Sequence, residues 1–230
     1  MPLADSPDLQ LFRTADGSFT LRSEHFKEGY HSRHGAVQES THVFMQEGLA
    51  HVLERIGTER PIDVLEVGLG TGLNLLLTWI RCLEGKCQVN YSAIEPFLLE
   101  RSILEQLGYA QELAWPGLEE PFLEFMTDPS PEWKAQEGGL NFRCLREPLE
   151  QLEFTEEFDL VYFDAFAPHV QPEMWTVEVF RVMYRSMRKS SVLVTYCAKG
   201  DVRRSMQEAG FSVERLQGPP GKREMLRATK

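Results

Sequence analysis

Long apolar runs are missing from this chain: none reaches the roughly 18 consecutive apolar residues that a spanning helix needs, so no membrane helix is expected. Cysteine is scarce. The four present, Cys82, Cys87, Cys144 and Cys197, form no Cys-x-x-Cys pair, which argues against a zinc knuckle or a thioredoxin-like centre and for reduced core thiols. His25, His31, His34 and His42 crowd the amino-terminal part, yet none makes a His-x-x-x-His or similar pair with a nearby acid. No metal site is expected. Residues 1–7 lack the basic-then-apolar pattern of an export leader, which predicts a soluble, cytoplasmic protein. Internal repeats and low-complexity stretches are absent too.

What is present suits one ordinary globular domain: 230 residues, 42% hydrophobic and 26% charged. Positive charge is in deficit overall, with a formal net charge of −11. Alone, that speaks against a polyanionic partner. The distribution is uneven, however: residues 181–230 hold 12 Lys and Arg against 4 Asp and Glu, a net of +8, whereas residues 1–180 carry a net of −19. The carboxyl-terminal fifth can therefore face nucleic acid, the alternative being a solvated face balanced by acids elsewhere.

Residues 10–22 place Asp16-Gly17 between two short alternating runs, which predicts a hairpin and a small β appendage. Residues 23–39 carry turn formers, histidines and charges without a period. Ser40 can then cap a helix whose apolar residues Val43, Phe44, Leu49, Val52, Leu53 and Ile56 recur at helical spacing. From Ile62 strand-like and helix-like segments alternate: strand 62–67, helix 72–83, strand 88–94, helix 97–107. Later strands are expected at 141–145, 158–163, 192–196, 211–216 and 223–228, with a helix started by Pro172 and striped by Val177, Phe180, Met183, Tyr184 and Met187. Such alternation implies βαβ units and a parallel sheet. Segment 108–139, with Pro116, Pro121, Pro129 and Pro131, breaks the pattern and reads as an insertion of short helices and loops. The expected division is 1–58 for hairpin, loop and lead-in helix and 59–230 for the main domain, together one compact unit.

The strongest chemical signal is the run from Ile62 to Asn74, IDVLEVGLGTGLN, in which a buried strand, an acid, three alternating glycines and a helix start follow one another. Glycine permits positive φ and a close backbone approach, so a ligand can lie over the strand end. Gly68, Gly70 and Gly72 are spaced Gly-x-Gly-x-Gly rather than Gly-x-Gly-x-x-Gly, and Glu66 stands two residues before the first. Both details favour S-adenosylmethionine, whose methionine end is cationic, over a dinucleotide, whose pyrophosphate would repel the acid. Glu66, Gly68, Gly70, Gly72 and Asn74 are thus the expected cofactor loop; a glycine turn without a ligand is the alternative. Glu95, 23 residues beyond Gly72 at the end of the next strand, can accept hydrogen bonds from both ribose hydroxyls. For the adenine amino group the sequence offers only Glu147. Asp164 ends the fourth strand, where it can orient a substrate amine and stabilise the cation that forms as the amine attacks a sulfonium methyl, or simply cap the next loop.

With these residues in place, the chain resembles the methyltransferase domain of the bifunctional tRNA 5-methylaminomethyl-2-thiouridine biosynthesis protein (MnmC) and its stand-alone relatives. The resemblance rests on EVGLGTGLN at 66–74, DAFAP at 164–168, PEMWT at 172–176, TYCAKG at 195–200, AGF at 209–211 and GPPGKREM at 218–225. It implies an α/β fold of the class I, Rossmann-like S-adenosylmethionine methyltransferase type: a mostly parallel sheet with an antiparallel last strand and the small amino-terminal β appendage. It also implies methylation of the amine of 5-aminomethyl-(2-thio)uridine at the wobble position, with the tRNA anticodon region as partner and S-adenosylmethionine as cofactor. Because the sequence stops at Lys230, the flavin-dependent oxidase of the bifunctional protein, and its flavin, are not expected. Phe166 and Trp175 are candidates to stack on a splayed uracil, with burial of both as the alternative. Lys199, Arg203, Arg204, Lys222 and Arg223 are the expected phosphate contacts. Two rival readings are an aminopropyltransferase of the spermidine synthase kind and an RNA-binding module that has lost catalysis; intact Glu66, Glu95 and Asp164 argue against the latter.

Overall fold

The computed structural model describes residues 8–230; residues 1–7, read above for an export leader, lie outside it. The Asp16-Gly17 turn forms as expected, joining β1 (Leu9–Arg13) to β2 (Phe19–Ser23) in antiparallel register, with β3 (Glu28–Gly29) added to β2. This turn also starts a helix. Helix α1 (residues 36–56) follows Gly35, which has no side chain to cap with. Ser18 Oγ accepts instead from the N–H groups of Ala36 and Val37, and Asp16 Oδ2 from that of Gln38. Burial pushes the Asp16 carboxyl up, but hydrogen bonds from Ser18, Thr14 and Gln38 outweigh it and hold the group below its ordinary value. Ser40, expected as the cap, sits buried inside the helix, because its capping groups come from a hairpin about 20 residues earlier, beyond a local reading. The middle of α1 widens into π turns over Thr41–Ala50, and Gly48 there lies so close to Val194 and Tyr162 that a Cβ would stand 3.1–3.2 Å from them. The helix thus rides directly on the sheet.

The alternation after Ile62 is realised as β4 (Ile62–Val67), α2 (Leu73–Leu83), β5 (Val89–Ile94) and α3 (Arg101–Leu107). The insertion supplies α4 (Tyr109–Glu112), α5 (Glu119–Thr127) and a strand that sequence reading misses, β6 (Lys134–Gln136). Then come β7 (Leu140–Leu145), β8 (Phe158–Phe163), α6 (Val177–Ser186), β9 (Met187–Thr195), α7 (Gly200–Glu208), β10 (Ser212–Gln217) and β11 (Glu224–Thr229). Eight strands form one sheet in the order β10-β11-β9-β8-β4-β5-β7-β6. The strands β9, β8, β4, β5 and β7 run parallel, while β11 is antiparallel to both its neighbours and β6 to β7. The expected antiparallel last strand is β11, slotted between β9 and β10. Strand β9 begins five residues ahead of expectation because its polar start, Arg188–Ser190, is partly to fully exposed and hides the strand pattern. Pro172 opens only a short 3-10 turn; α6 itself is capped by Thr176, whose Oγ1 accepts from the Val179 N–H.

The insertion is structural cover. Its Phe125 stacks against Trp79 of α2 and Phe142 of β7 at 5.3 and 5.1 Å, and Trp79 Nε1 donates to the Glu137 carbonyl. Replacing Asp16 with alanine removes the distant cap of α1 and is expected to lower unfolding free energy by about 1–2 kcal/mol, read by urea denaturation with an unchanged slope. A change within a few tenths of a kcal/mol would show that the hairpin does not hold the helix start.

Candidate active site

Strand β4 lies between β5 and β8, so the loop that leaves it sits at a switch in strand order, where open α/β sheets hold ligands. A cavity of about 1240 Å³ opens there, floored by Gly68 and Gly70 and walled by Glu95, Asp164 and Phe166. The three glycines serve three different neighbours. Gly68, at φ 89°, lets the ends of β4 and β8 approach, since a Cβ would lie 2.8 Å from the Asp164 carbonyl. Gly70, at φ 51°, leaves room for the Tyr30 ring. Gly72, at φ 76°, does not line the cavity; a Cβ there would collide with Met126 and Phe122 of α5, so it seats the insertion rather than a ligand.

Behind the floor, Asn74 in the first turn of α2 donates from Nδ2 to Glu66 Oε1 (2.8 Å) and to Asp164 Oδ2 (2.9 Å), and Tyr91 donates to Glu66 Oε2 (2.8 Å). Glu66 has no exposure at all. Burial pushes its carboxyl well above the ordinary value, and the nearby Asp164 adds to this against the hydrogen bonds from Asn74 and Tyr91. Asp164 is pushed up to about 7, chiefly by burial and then by the charge of Glu39, with the Asn74 hydrogen bond and Lys222 opposing. Near neutrality it can therefore hold or release a proton. Glu95 faces the cavity with both oxygens held by backbone, Oε2 by Gly70 N–H (3.1 Å) and Oε1 by Phe97 N–H (2.8 Å); burial raises its pKa against these two donors.

Among the expected site residues, the structure gathers Gly68, Gly70, Asn74, Glu95, Asp164, Phe166 and Lys222 around the cavity. Glu66 stands one layer behind, acting through Asn74. Trp175 is buried against Phe163, Phe180 and Tyr196, with its Nε1 donating to the Phe166 carbonyl, so it belongs to the core and cannot stack on a base. Glu147 is exposed and does not line the cavity. Lys199 and Arg223 are exposed and Arg203 half-buried, and Arg204 is paired with Asp201. Lys222 turns toward Glu39 and is half-buried. Sequence reading missed Phe26, Tyr30, His31 and Glu39, which form the far wall; Phe166 packs on Phe26 and Tyr30 at 5.1 and 5.0 Å. The signal was the density of histidine, aromatic and charged side chains in an aperiodic stretch, a common mark of a binding loop.

These residues fit S-adenosylmethionine. Gly68 and Gly70 present bare backbone to the cavity, Glu95 offers oxygens for a pair of hydroxyls, and Asn74 Oδ1 is buried without a partner, an acceptor suited to a cationic donor. Among the described residues no cluster of three His, Cys, Asp or Glu side chains is arranged to hold a metal, and no helix is long and apolar enough to cross a membrane. Glu95→Ala is expected to weaken S-adenosylhomocysteine binding by about 1.5–3 kcal/mol in calorimetry, the range for hydrogen bonds to a charged group. Unchanged affinity would move the ribose contact elsewhere.

Comparison with known proteins agrees with this geometry. Residues 134–230 match a family described as S-adenosyl-L-methionine-dependent methyltransferase. The chain is similar to the tRNA 5-methylaminomethyl-2-thiouridine biosynthesis bifunctional protein MnmC of Idiomarina loihiensis, 34% identical over 222 residues, covering 87% of this chain and 35% of the relative. It thus spans about a third of the length of the curated relatives it matches. Among solved structures, MNMC2 from Aquifex aeolicus aligns with a TM-score of 0.76 at 25% identity, covering 97% of this chain and 71% of that one. Spermidine synthase from Thermotoga maritima aligns at 0.53 and 13% identity, covering 96% and 68%, a likeness of fold alone. The chain belongs to the class I S-adenosyl-L-methionine-dependent methyltransferases, in the family that includes the aligned part of the bifunctional MnmC proteins.

Proposed function

We propose that this protein methylates the amine of 5-aminomethyl-(2-thio)uridine at the wobble position of tRNA, giving the 5-methylaminomethyl form, and that it acts in the cytoplasm on the anticodon region. The observation that carries the reading is a carboxylate, Asp164, at the cavity edge of β8, tethered by Asn74 and with a pKa of about 7. The names of the similar bifunctional proteins supply the substrate class. When bound, S-adenosylmethionine supplies a methyl group activated by its sulfonium. Asp164 accepts an N–H hydrogen bond from the substrate amine, so the nitrogen lone pair is aimed into the cavity, and it can take the proton that the amine must lose. Asn74 fixes the carboxylate's direction. Phe166, with Phe26 and Tyr30, offers an aromatic wall for the flipped base in place of the expected Trp175. The expected segments 1–58 and 59–230 then share one site, Phe26 and Tyr30 of that wall coming from the first and Phe166 from the second.

Lys199, Arg203 and Arg223 suit phosphate contact: Lys199 caps the start of α7 just beyond β9, Arg203 lies one turn further on, and Arg223 lies in the turn that leads into β11, all on the sheet edge that holds the cavity. The deciding experiment incubates the protein with labelled S-adenosylmethionine and bulk tRNA from cells lacking this activity, then separates nucleosides. Label is expected in methylaminomethyl-uridine, and Asp164→Ala should cut turnover by about 10²–10⁴-fold with little change in tRNA affinity. Label in another nucleoside, or none with wild-type protein, would overturn the assignment. Arg223→Glu should weaken tRNA binding and reduce the salt slope by about one or more, because fewer counterions are released; an unaltered slope would take Arg223 off the interface.

A further inference from the structure

The turn joining β10 to β11 carries Lys222 back over the cavity. Its Nζ lies 2.5 Å from Glu39 Oε1, in an ionic contact that falls off the hydrogen-bonding directions, and 3.9 Å from the centre of the Tyr196 ring. Both partners are themselves fixed. Glu39 Oε2 accepts from the Ser32 N–H at 2.8 Å, and the Tyr196 hydroxyl donates to the Ala165 carbonyl at 2.9 Å, one residue beyond Asp164. Glu39, Asp164, Tyr196 and Lys222 all line the same cavity. The Glu39 side chain is only 7% exposed, so Lys222 is the charge that makes its burial tolerable.

Titratable groups surround Asp164 from several elements. Glu39, from α1, is the like charge that raises Asp164; Glu66 of β4, Tyr91 of β5 and Tyr196 at the end of β9 are themselves pushed up by burial and by the charge of Asp164, and His31, from the loop after β3, is held neutral by burial, with its pKa lowered to about 4. Lys222 is the cation that opposes Glu39 at Asp164. We propose that Lys222, clamped between Glu39 and the Tyr196 ring, is a positioning residue for the transfer, keeping Asp164 in the charged form that holds the substrate amine. It is therefore not a phosphate contact. The proposal rests on the role given to Asp164 above.

Charge arithmetic gives opposite signs for two single changes. In Lys222→Met, Asp164 faces Glu39 uncompensated, is harder to ionise and titrates higher. In Glu39→Gln, a like charge is gone while the cation stays, so Asp164 titrates lower. A merely structural role would damage both variants in the same direction.

The test follows the Asp164 carboxyl by ¹³C NMR in protein labelled at aspartate carboxyls, its signal assigned by loss in Asp164→Asn, alongside the pH dependence of kcat/KM on tRNA. The titration midpoint and the acid limb are both expected to rise by roughly one pH unit in Lys222→Met and to fall in Glu39→Gln, with Lys222→Arg near wild type. Thermal melts confirm that each variant is folded, and Lys222→Arg keeps the test open should Lys222→Met fail to fold. Unmoved carboxyl titration in both charge-changing variants overturns the proposal. So does a loss of about one in the tRNA salt slope for Lys222→Met with the titration unmoved, which makes Lys222 a phosphate contact. If the carboxyl shifts in opposite directions while the acid limb stays put, control by Lys222 stands and the role given to Asp164 in the reaction fails.

Discussion

Asn74 donates from one nitrogen to two carboxylates, Glu66 and Asp164, that burial would otherwise force apart or neutralise. A carboxylate taken out of water without donors costs several kcal/mol, so the amide must arrive in register with both strand ends. That register depends on where α2 begins. Gly72 sets the start with positive φ, and its missing Cβ lets Met126 and Phe122 press against it from the insertion. The insertion, which looks incidental in the sequence, thereby helps fix the direction of the group that meets the substrate.

The amino-terminal appendage is tied into the same arrangement from the other side. Asp16 and Ser18 cap α1, α1 carries Glu39, and Glu39 holds Lys222 against Tyr196. The strand-poor stretch between β3 and α1 contributes Tyr30 and His31, the latter held by Thr20 Oγ1 through Nδ1 at 2.8 Å. A small hairpin that would be unstable by itself becomes a wall of the site because its turn residues do two jobs, closing the hairpin and starting a helix.

The parallel sheet was legible because β4, β5, β7 and β8 are short apolar runs separated by helical periodicity, and their edges fall within one residue of expectation. Glu95 and Asp164 were legible for the same reason, as acids at strand ends. What stayed hidden involves partners far apart in sequence. The start of α1 depends on residues about 20 positions earlier, β6 is a three-residue edge strand without a pattern of its own, and Trp175 stays open between a stacking face and the core until Phe163 and Phe180 are seen packed on it. Lys222 shows the sharpest limit: its sequence neighbours Arg223 and Lys230 suggest a basic face, and only the pairing of β11 with β9 brings it to Glu39 and Tyr196.

The same cross-strand pairing explains the lopsided charge. Arg188 pairs with Asp63 and Asp159, Arg227 with Glu47 and Lys230 with Glu156, so part of the basic carboxyl-terminal fifth is neutralised by acids from the first 180 residues. Some of these pairs are exposed and individually weak, yet together they occupy cations that a linear count would assign to RNA. On the sheet edge that holds the cavity, Lys199, Arg203 and Arg223 are the cations without an acid partner among the described residues, and they are few. A binding mode with few phosphate contacts yields modest, salt-sensitive affinity and little selectivity. In the function proposed above, discrimination among substrates then falls to the cavity, where a base would leave its stack, meet Phe166 and present an amine within reach of Asp164.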